Sequence, residues 1–97
     1  MQKTKDILAI EEQWLHIKNT SKHKRSSLCI QWLEKNEIVF ESFNQNMHIQ
    51  LHLRDNLINI WPTTERMHII DEKSNIKDFH GTHEIITQLE KFINLIL

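Results

Sequence analysis

Two short segments near the middle of the chain alternate between apolar and polar residues, and this alternation constrains the fold more than any other feature. In Met47–Leu53, every second residue from Ile49 onward is apolar, and the residues between them are His and Gln. A period of two predicts a β-strand with one packed face and one solvated face. Leu57–Trp61 resumes the apolar pattern after Arg54–Asn56, where Asp and Asn suit a tight turn. The two segments therefore predict an antiparallel hairpin.

Further strands are predicted on both sides of this hairpin. Ile38–Phe43 is rich in β-branched and aromatic residues, and Asn44–Asn46 joins it to the hairpin as a turn. Pro62–Thr64 ends the hairpin's second strand, because proline cannot donate to a β-ladder. Arg66–Asp71 is then a fourth strand, and the polar residues Glu72–Asp78 predict a connection without regular structure.

Three helices complete the predicted architecture. Thr4–Lys18 has apolar residues at helical spacing, with Thr4 as its N-cap. Asn19–Ser26 is a polar loop, and a second helix follows from Ser26 or Ser27 to Asn36. The last helix begins after Gly81 with Thr82 as N-cap. Its buried stripe consists of Ile85, Ile86, Leu89, Ile93 and Ile96, with Phe92 beside it. Residues 1–97 therefore predict a single α+β domain of order ααββββα, a two-layer sandwich in which helices cover a four-stranded antiparallel meander.

Composition restricts the setting of the protein. The 97 residues are 39% hydrophobic and 26% charged, with a formal net charge of -1, which argues against attraction of the whole surface to nucleic acid. Cys29 is the single cysteine, and this favours a reducing cytoplasm. The N-terminus lacks the apolar run of a signal peptide, and no apolar stretch reaches the ~20 residues that a membrane span needs. The sequence predicts a cytoplasmic protein that does not contact membranes.

The residues that could carry chemistry do not form a recognisable catalytic or metal-binding motif. Among the seven histidines, His48 and His52 share a strand face, but four residues separate them, or about 13 Å along a strand. Such spacing does not suit one zinc ion. Cys29 lies on the apolar side of the second helix, where cysteine is usually an inert hydrophobe. With one glycine, the chain has no Gly-rich phosphate loop. We expect no catalytic residue, no metal and no cofactor, and hence not an enzyme.

The segment Asn59-Ile60-Trp61-Pro62-Thr63-Thr64, followed by a short strand and a glycine before a C-terminal helix, resembles a loose group of small phage- and prophage-encoded proteins. That group has a strand ending in aromatic-Pro-Thr-Thr-Gly-Lys, a hairpin, a basic-glycine step and a Leu-rich helix. Here Glu65-Arg66 stands in place of Gly-Lys, and Phe79-His80-Gly81 in place of the basic-glycine step. The resemblance covers the last half of the chain and implies a mobile-element setting. The Pro62–Thr64 residues themselves predict a turn, with phosphate binding by the threonine hydroxyls and Arg66 as the alternative.

These observations predict a small, non-enzymatic module that binds a protein. A host factor is the expected partner, by analogy an inhibited host defence complex such as a CRISPR nuclease, and a homodimer is a further alternative. The predicted partner-binding surface is the polar face of the sheet with its turns: His48, Gln50, His52, Arg54, Asn59, Trp61 and Arg66. Trp and Arg are the residue types most often found as interface hot spots. The alternative function is nucleic-acid binding through Lys22, Lys24 and Arg25 in the basic loop.

Overall fold

The alternating segments form the centre of an antiparallel sheet whose five strands lie side by side in chain order. The computed structural model describes residues 3–17 and 22–96 of the chain. Its elements are α1 (Lys5–Leu15), α2 (Lys22–Lys35), β1 (Phe40–Phe43), β2 (His48–Leu53), β3 (Asn56–Trp61), β4 (Arg66–Ile70), β5 (Ile76–His80) and α3 (Thr82–Ile96), with a 3-10 turn at Pro62–Thr64 between β3 and β4. The α+β class and the meander are confirmed.

The fifth strand is a correction to the predicted four-stranded sheet. Ile76–His80 pairs antiparallel with β4, and it begins inside the segment that was expected to be a polar connection. Four of its five residues are exposed, so the segment lacks the alternation that identifies a half-buried strand. β5 is an edge strand, and polar residues are typical of such edges because they discourage further pairing.

The pairing register places the apolar residues of the central strands on one face. Ile49 lies opposite Ile60, and Leu51 lies opposite Ile58. All four side chains are at most 2% exposed, and they share one core with the buried residues of the three described helices. Trp14 of α1, Trp32 of α2 and Leu89 of α3 are among those helical residues. The helices therefore cover this face of the sheet, and the opposite face carries the alternate residues of each strand.

Helix α2 begins earlier than predicted, at Lys22, so residues 22–25 are its first turn rather than part of a loop. Residues 18–21 of the predicted helix end and loop lie outside the described residues. The loop was predicted because the segment is polar and rich in turn-forming residues. Cationic side chains at a helix N-terminus oppose the helix dipole. Arg25 compensates for this, because its buried guanidinium donates from Nη1 to the carbonyl oxygen of Thr63 at 3.1 Å.

Glu65 connects the Pro62–Thr64 turn to the start of α3. Its Oε1 accepts hydrogen bonds from the hydroxyl of Thr82 at 2.8 Å and from the amide N–H of Thr82 at 3.3 Å. The prediction that Thr82 is the N-cap of α3 is wrong, because Thr82 is the first residue of the helix. Glu65 supplies the acceptor for the Thr82 N–H instead. The Arg25 guanidinium lies 4.0 Å from the other oxygen of Glu65.

A second polar cluster joins α1 to α3. Lys3 Nζ lies 2.9 Å from Oε1 of Glu11 and also contacts Oε1 of Glu90. Glu11 is only 5% exposed, whereas its neighbour Glu12 is exposed. Burial and a hydrogen bond with Glu90 raise the pKa of Glu11. Burial opposes the shift at Glu90, where hydrogen bonds with Glu11 and Lys3 lower the pKa.

Within residues 3–17 and 22–96, every helix is too short or too polar to cross a membrane.

Candidate functional site

The face of the sheet that the described helices leave uncovered, here called the open face, is formed by the outward residues of all five strands. Paired residues on adjacent strands share a face, so the register identifies them directly. They include Phe43, His48, Gln50, His52, Leu57, Asn59, Trp61, Arg66, His68, Asp78 and His80. The surface therefore combines rings, amides and both signs of charge.

A row of rings crosses the open face from β1 to β4. The ring of Phe43 lies 5.4 Å from that of His48 between centroids. His48 stacks on Trp61 at 4.8 Å with an interplanar angle of 8°, and Trp61 meets His68 edge-on at 4.9 Å. Offset stacking and edge contacts of this kind add a modest stabilisation beyond the area they bury. The row therefore holds Trp61 in a fixed orientation on an otherwise accessible surface.

Asn59 anchors this row from the centre of the sheet. Its Oδ1 accepts from Nε2 of His48 at 2.8 Å and from Nε2 of Gln50 at 3.0 Å. Because an amide oxygen can only accept, Nε2 of His48 carries a proton in this arrangement. Asn59 is 8% exposed although no described helix covers it, since its neighbours on the open face shield it. The amide therefore orients His48 and, through stacking, Trp61.

The row ends at β5 in a polar contact between two side chains. Nε2 of His68 lies 2.9 Å from Oδ1 of Asp78, its direct partner in the register. The pair links β4 to the edge strand on the open face.

Five of the seven predicted partner-binding residues lie together at one end of the open face. His48, Gln50 and Asn59 are joined by hydrogen bonds, and Arg66 lies directly opposite Trp61. The other two, His52 and Arg54, lie towards the opposite end of the sheet. His52 is paired with Leu57, and Arg54 has a left-handed φ of 49° in the β2–β3 turn.

Phe43, His68 and Asp78 belong to the row but were not predicted to be part of the surface. The signal for His68 was present, because His68 lies two residues after Arg66 in a predicted strand and so shares its face. The signal for Asp78 was absent, because the strand that carries it was not predicted.

The basic segment of the alternative prediction is not a set of three exposed cations. Lys24 is exposed, but Arg25 is buried and bound to Thr63, and the side chain of Lys22 lies outside the described residues. The Pro62–Thr64 segment forms the predicted turn, in which the Thr64 hydroxyl donates to the carbonyl oxygen of Trp61 at 3.3 Å.

Neither a thiol nor a metal chemistry is favoured by the geometry. Cys29 is fully buried, and burial raises the pKa of its thiol, which keeps it protonated. In the part of the chain that the structure describes, no three His, Cys, Asp or Glu side chains cluster as metal ligands would.

Comparisons with protein-family models, with curated protein sequences and with solved structures found no match to this chain.

Proposed function

We propose that the protein is a non-enzymatic module that binds a protein partner through the Trp61 end of the open face. The observation that carries this proposal is the row of rings on an uncovered sheet face, held in place by Asn59. A rigid aromatic side chain loses little conformational entropy when a partner covers it. Arg66 beside Trp61 adds a charged donor, so the two residue types most common at hot spots are adjacent.

The amphipathic character of the open face favours a protein partner over nucleic acid. The chain has a net charge of -1, and Asp78 and Glu41 lie on the same face as Arg66. Binding to a phosphate backbone depends on several cations acting together. A cytoplasmic inhibitor of a host defence complex, encoded by a mobile element, is the narrower form of this proposal, and its support is the sequence resemblance at Asn59–Thr64.

The test is affinity capture from nuclease-treated lysate, followed by quantitative binding to the partner identified. Trp61→Ala is expected to weaken binding by at least about 2 kcal/mol, or roughly thirtyfold, with a smaller loss for Arg66→Ala. Leu8→Ala and Lys5→Ala are matched controls, because both side chains are exposed on α1. If Trp61→Ala and Arg66→Ala both fold and bind the partner with the affinity of the parent, the open face is not the interface. Loss of every partner on nuclease treatment would favour the nucleic-acid alternative.

A further inference from the structure

We propose a second binding site, in a cleft between α3 and the β4–β5 edge of the sheet, for a small organic carboxylate with an apolar body. The cleft has a volume of about 430 Å³. This size falls within the range of ligand pockets, roughly 300–1,000 Å³. The cleft opens on the helical side of the sheet, so it is separate from the open face and does not depend on the function proposed for it.

The inner wall of the cleft is apolar. Ile69 of β4 is a core residue, and Phe79 of β5 and Phe92 of α3 are partly buried against the core. All three lie in the lining of the cleft. An apolar wall of this kind contributes binding energy for a hydrocarbon or aromatic body and none for a bare inorganic ion.

Two lysines supply the charge of the cleft. Lys77 of β5 and Lys91 of α3 both line it, and both are exposed. Within residues 3–17 and 22–96, neither ammonium has a carboxylate at ion-pair distance. Asp71 also lines the cleft, but its carboxylate accepts from the N–H groups of Lys73 and Asn75 and from the Asn75 side chain. The two ammonium groups outnumber this one carboxylate, so the lining is cationic.

The other polar groups in the cleft indicate an anionic rather than a neutral ligand. The amide nitrogens of Asn56, Asn75 and Gln88 already donate to protein acceptors. Lys77 and Lys91 carry the charged donors among the lining residues. An ammonium donates most strongly to an ionised acceptor. A carboxylate on an apolar body matches both parts of the cleft.

The experiment titrates the full chain with phenylbutyrate and follows the backbone amide NMR shifts. We expect saturable shifts centred on Phe79, Lys91 and Phe92, and roughly tenfold weaker binding of the neutral amide of the same acid. Inorganic phosphate should bind more weakly than phenylbutyrate, because it gains nothing from the apolar wall. The double variant Lys77→Gln/Lys91→Gln should reduce the affinity for phenylbutyrate about tenfold. Both side chains are exposed, so we expect the variant to fold.

Lys5→Gln is the matched control, since Lys5 is an exposed lysine outside the cleft, and it should bind as the parent does. Equal binding of acid and amide, or an unchanged affinity in the double variant, would overturn the assignment. So would the absence of saturation at millimolar phenylbutyrate. Shifts centred on Trp61 instead would place the ligand on the open face and likewise contradict this site.

Discussion

Glu65 shows how much of this structure depends on one residue with several tasks. It has a left-handed φ of 57°, a conformation that glycine adopts more readily than other residues. Its backbone carbonyl accepts a hydrogen bond from the Gly81 N–H at 2.7 Å, and its carboxylate accepts one from the Thr82 hydroxyl. The hydrogen bond from Thr82, together with the nearby Arg25 charge, lowers the pKa of Glu65. The side chain therefore offsets the strain of its own backbone by holding α3 against the turn after β3.

We predict that Glu65→Gln lowers the free energy of unfolding by about 1 kcal/mol at neutral pH, because an ionised acceptor is replaced by a neutral one that is partly exposed. The folded pKa of Glu65 lies below its unfolded value of about 4.3, so the stabilisation is complete above that pH. It is lost as the pH falls through the folded pKa. Urea unfolding at several pH values should therefore show the two proteins converging in acid. Glu72→Gln, at an exposed site, should follow the parent at every pH.

The environment of Arg25, also a feature of a single residue, could not be predicted from the sequence. Its neighbours are polar and basic, and this pattern is typical of a solvated loop. What satisfies the buried guanidinium is the acceptor at Thr63, 38 positions along the chain. A contact at that separation leaves no periodic signal near Arg25. The cluster of cations was visible in the sequence, and the burial of Arg25 was not.

At the scale of elements, the helix ends depend on backbone conformation as much as on side chains. Asn36 was the predicted end of α2, but the left-handed residue is Glu37, with φ of 58°. The Ile38 N–H then reaches back to the Leu33 carbonyl at 2.9 Å, as in a Schellman motif. Gly81 has φ of 103° immediately before α3, and a Cβ placed on it would meet no atom within 4 Å. Removing glycine at position 81 and introducing it at position 37 should therefore change the free energy of unfolding in opposite directions.

Gly81→Ala should lower the free energy of unfolding by about 1–2 kcal/mol through backbone strain alone. Glu37→Gly should raise it by about 0.5–1 kcal/mol, because glycine relieves the left-handed penalty at the C′ position. Thermal and urea unfolding of both variants measure these changes. A stable Gly81→Ala protein, or a destabilised Glu37→Gly protein, would contradict this interpretation of the backbone.

The strands could be predicted where apolar and polar residues alternate along them. β2 and β3 are central and half-buried, so period two identified their faces. The predicted positions of His48, Gln50, Asn59 and Trp61 followed from those faces. The predicted β1 began at Ile38, two residues before the observed start at Phe40, because apolar content extends beyond the paired segment. β5 combines mostly exposed residues with an edge position, and its pairing with β4 depends on the hairpin at Asp71–Asn75 rather than on its own composition.

At the scale of the whole molecule, the cluster of Lys3, Glu11 and Glu90 joins the first helix to the last. The folded state holds the Glu11 proton to a higher pH than the unfolded state does, so this group's contribution to stability declines as the pH rises through that window. Glu90 has the opposite sign, because its lowered pKa makes its contribution complete only above the ordinary glutamate value of about 4.3. The two carboxyl groups therefore change the stability of the fold in pH ranges on opposite sides of the ordinary glutamate pKa.

We predict that Glu11→Gln becomes more stable relative to the parent as the pH rises from about 4.3 towards neutrality. The variant has no proton to lose at this position, so it escapes the decline, with a gain on the order of 1 kcal/mol. The free energy of unfolding measured across this range tests the difference. Glu12→Gln, on the exposed side of α1, is the matched control and should run parallel to the parent. Parallel curves for Glu11→Gln would refute the assignment.

Cys29 is the single cysteine of the chain, and its burial means that the labelling rate of its thiol reports how often the protein opens around it. A thiol-reactive dye cannot reach a side chain that is 0% exposed while α2 remains seated on the sheet. Labelling therefore samples the moments when that helix has separated from the sheet. At low dye concentration the labelling rate follows the population of opened molecules, and at saturating dye it follows the opening rate itself. A single unmodified chain thus reports both quantities without an engineered probe.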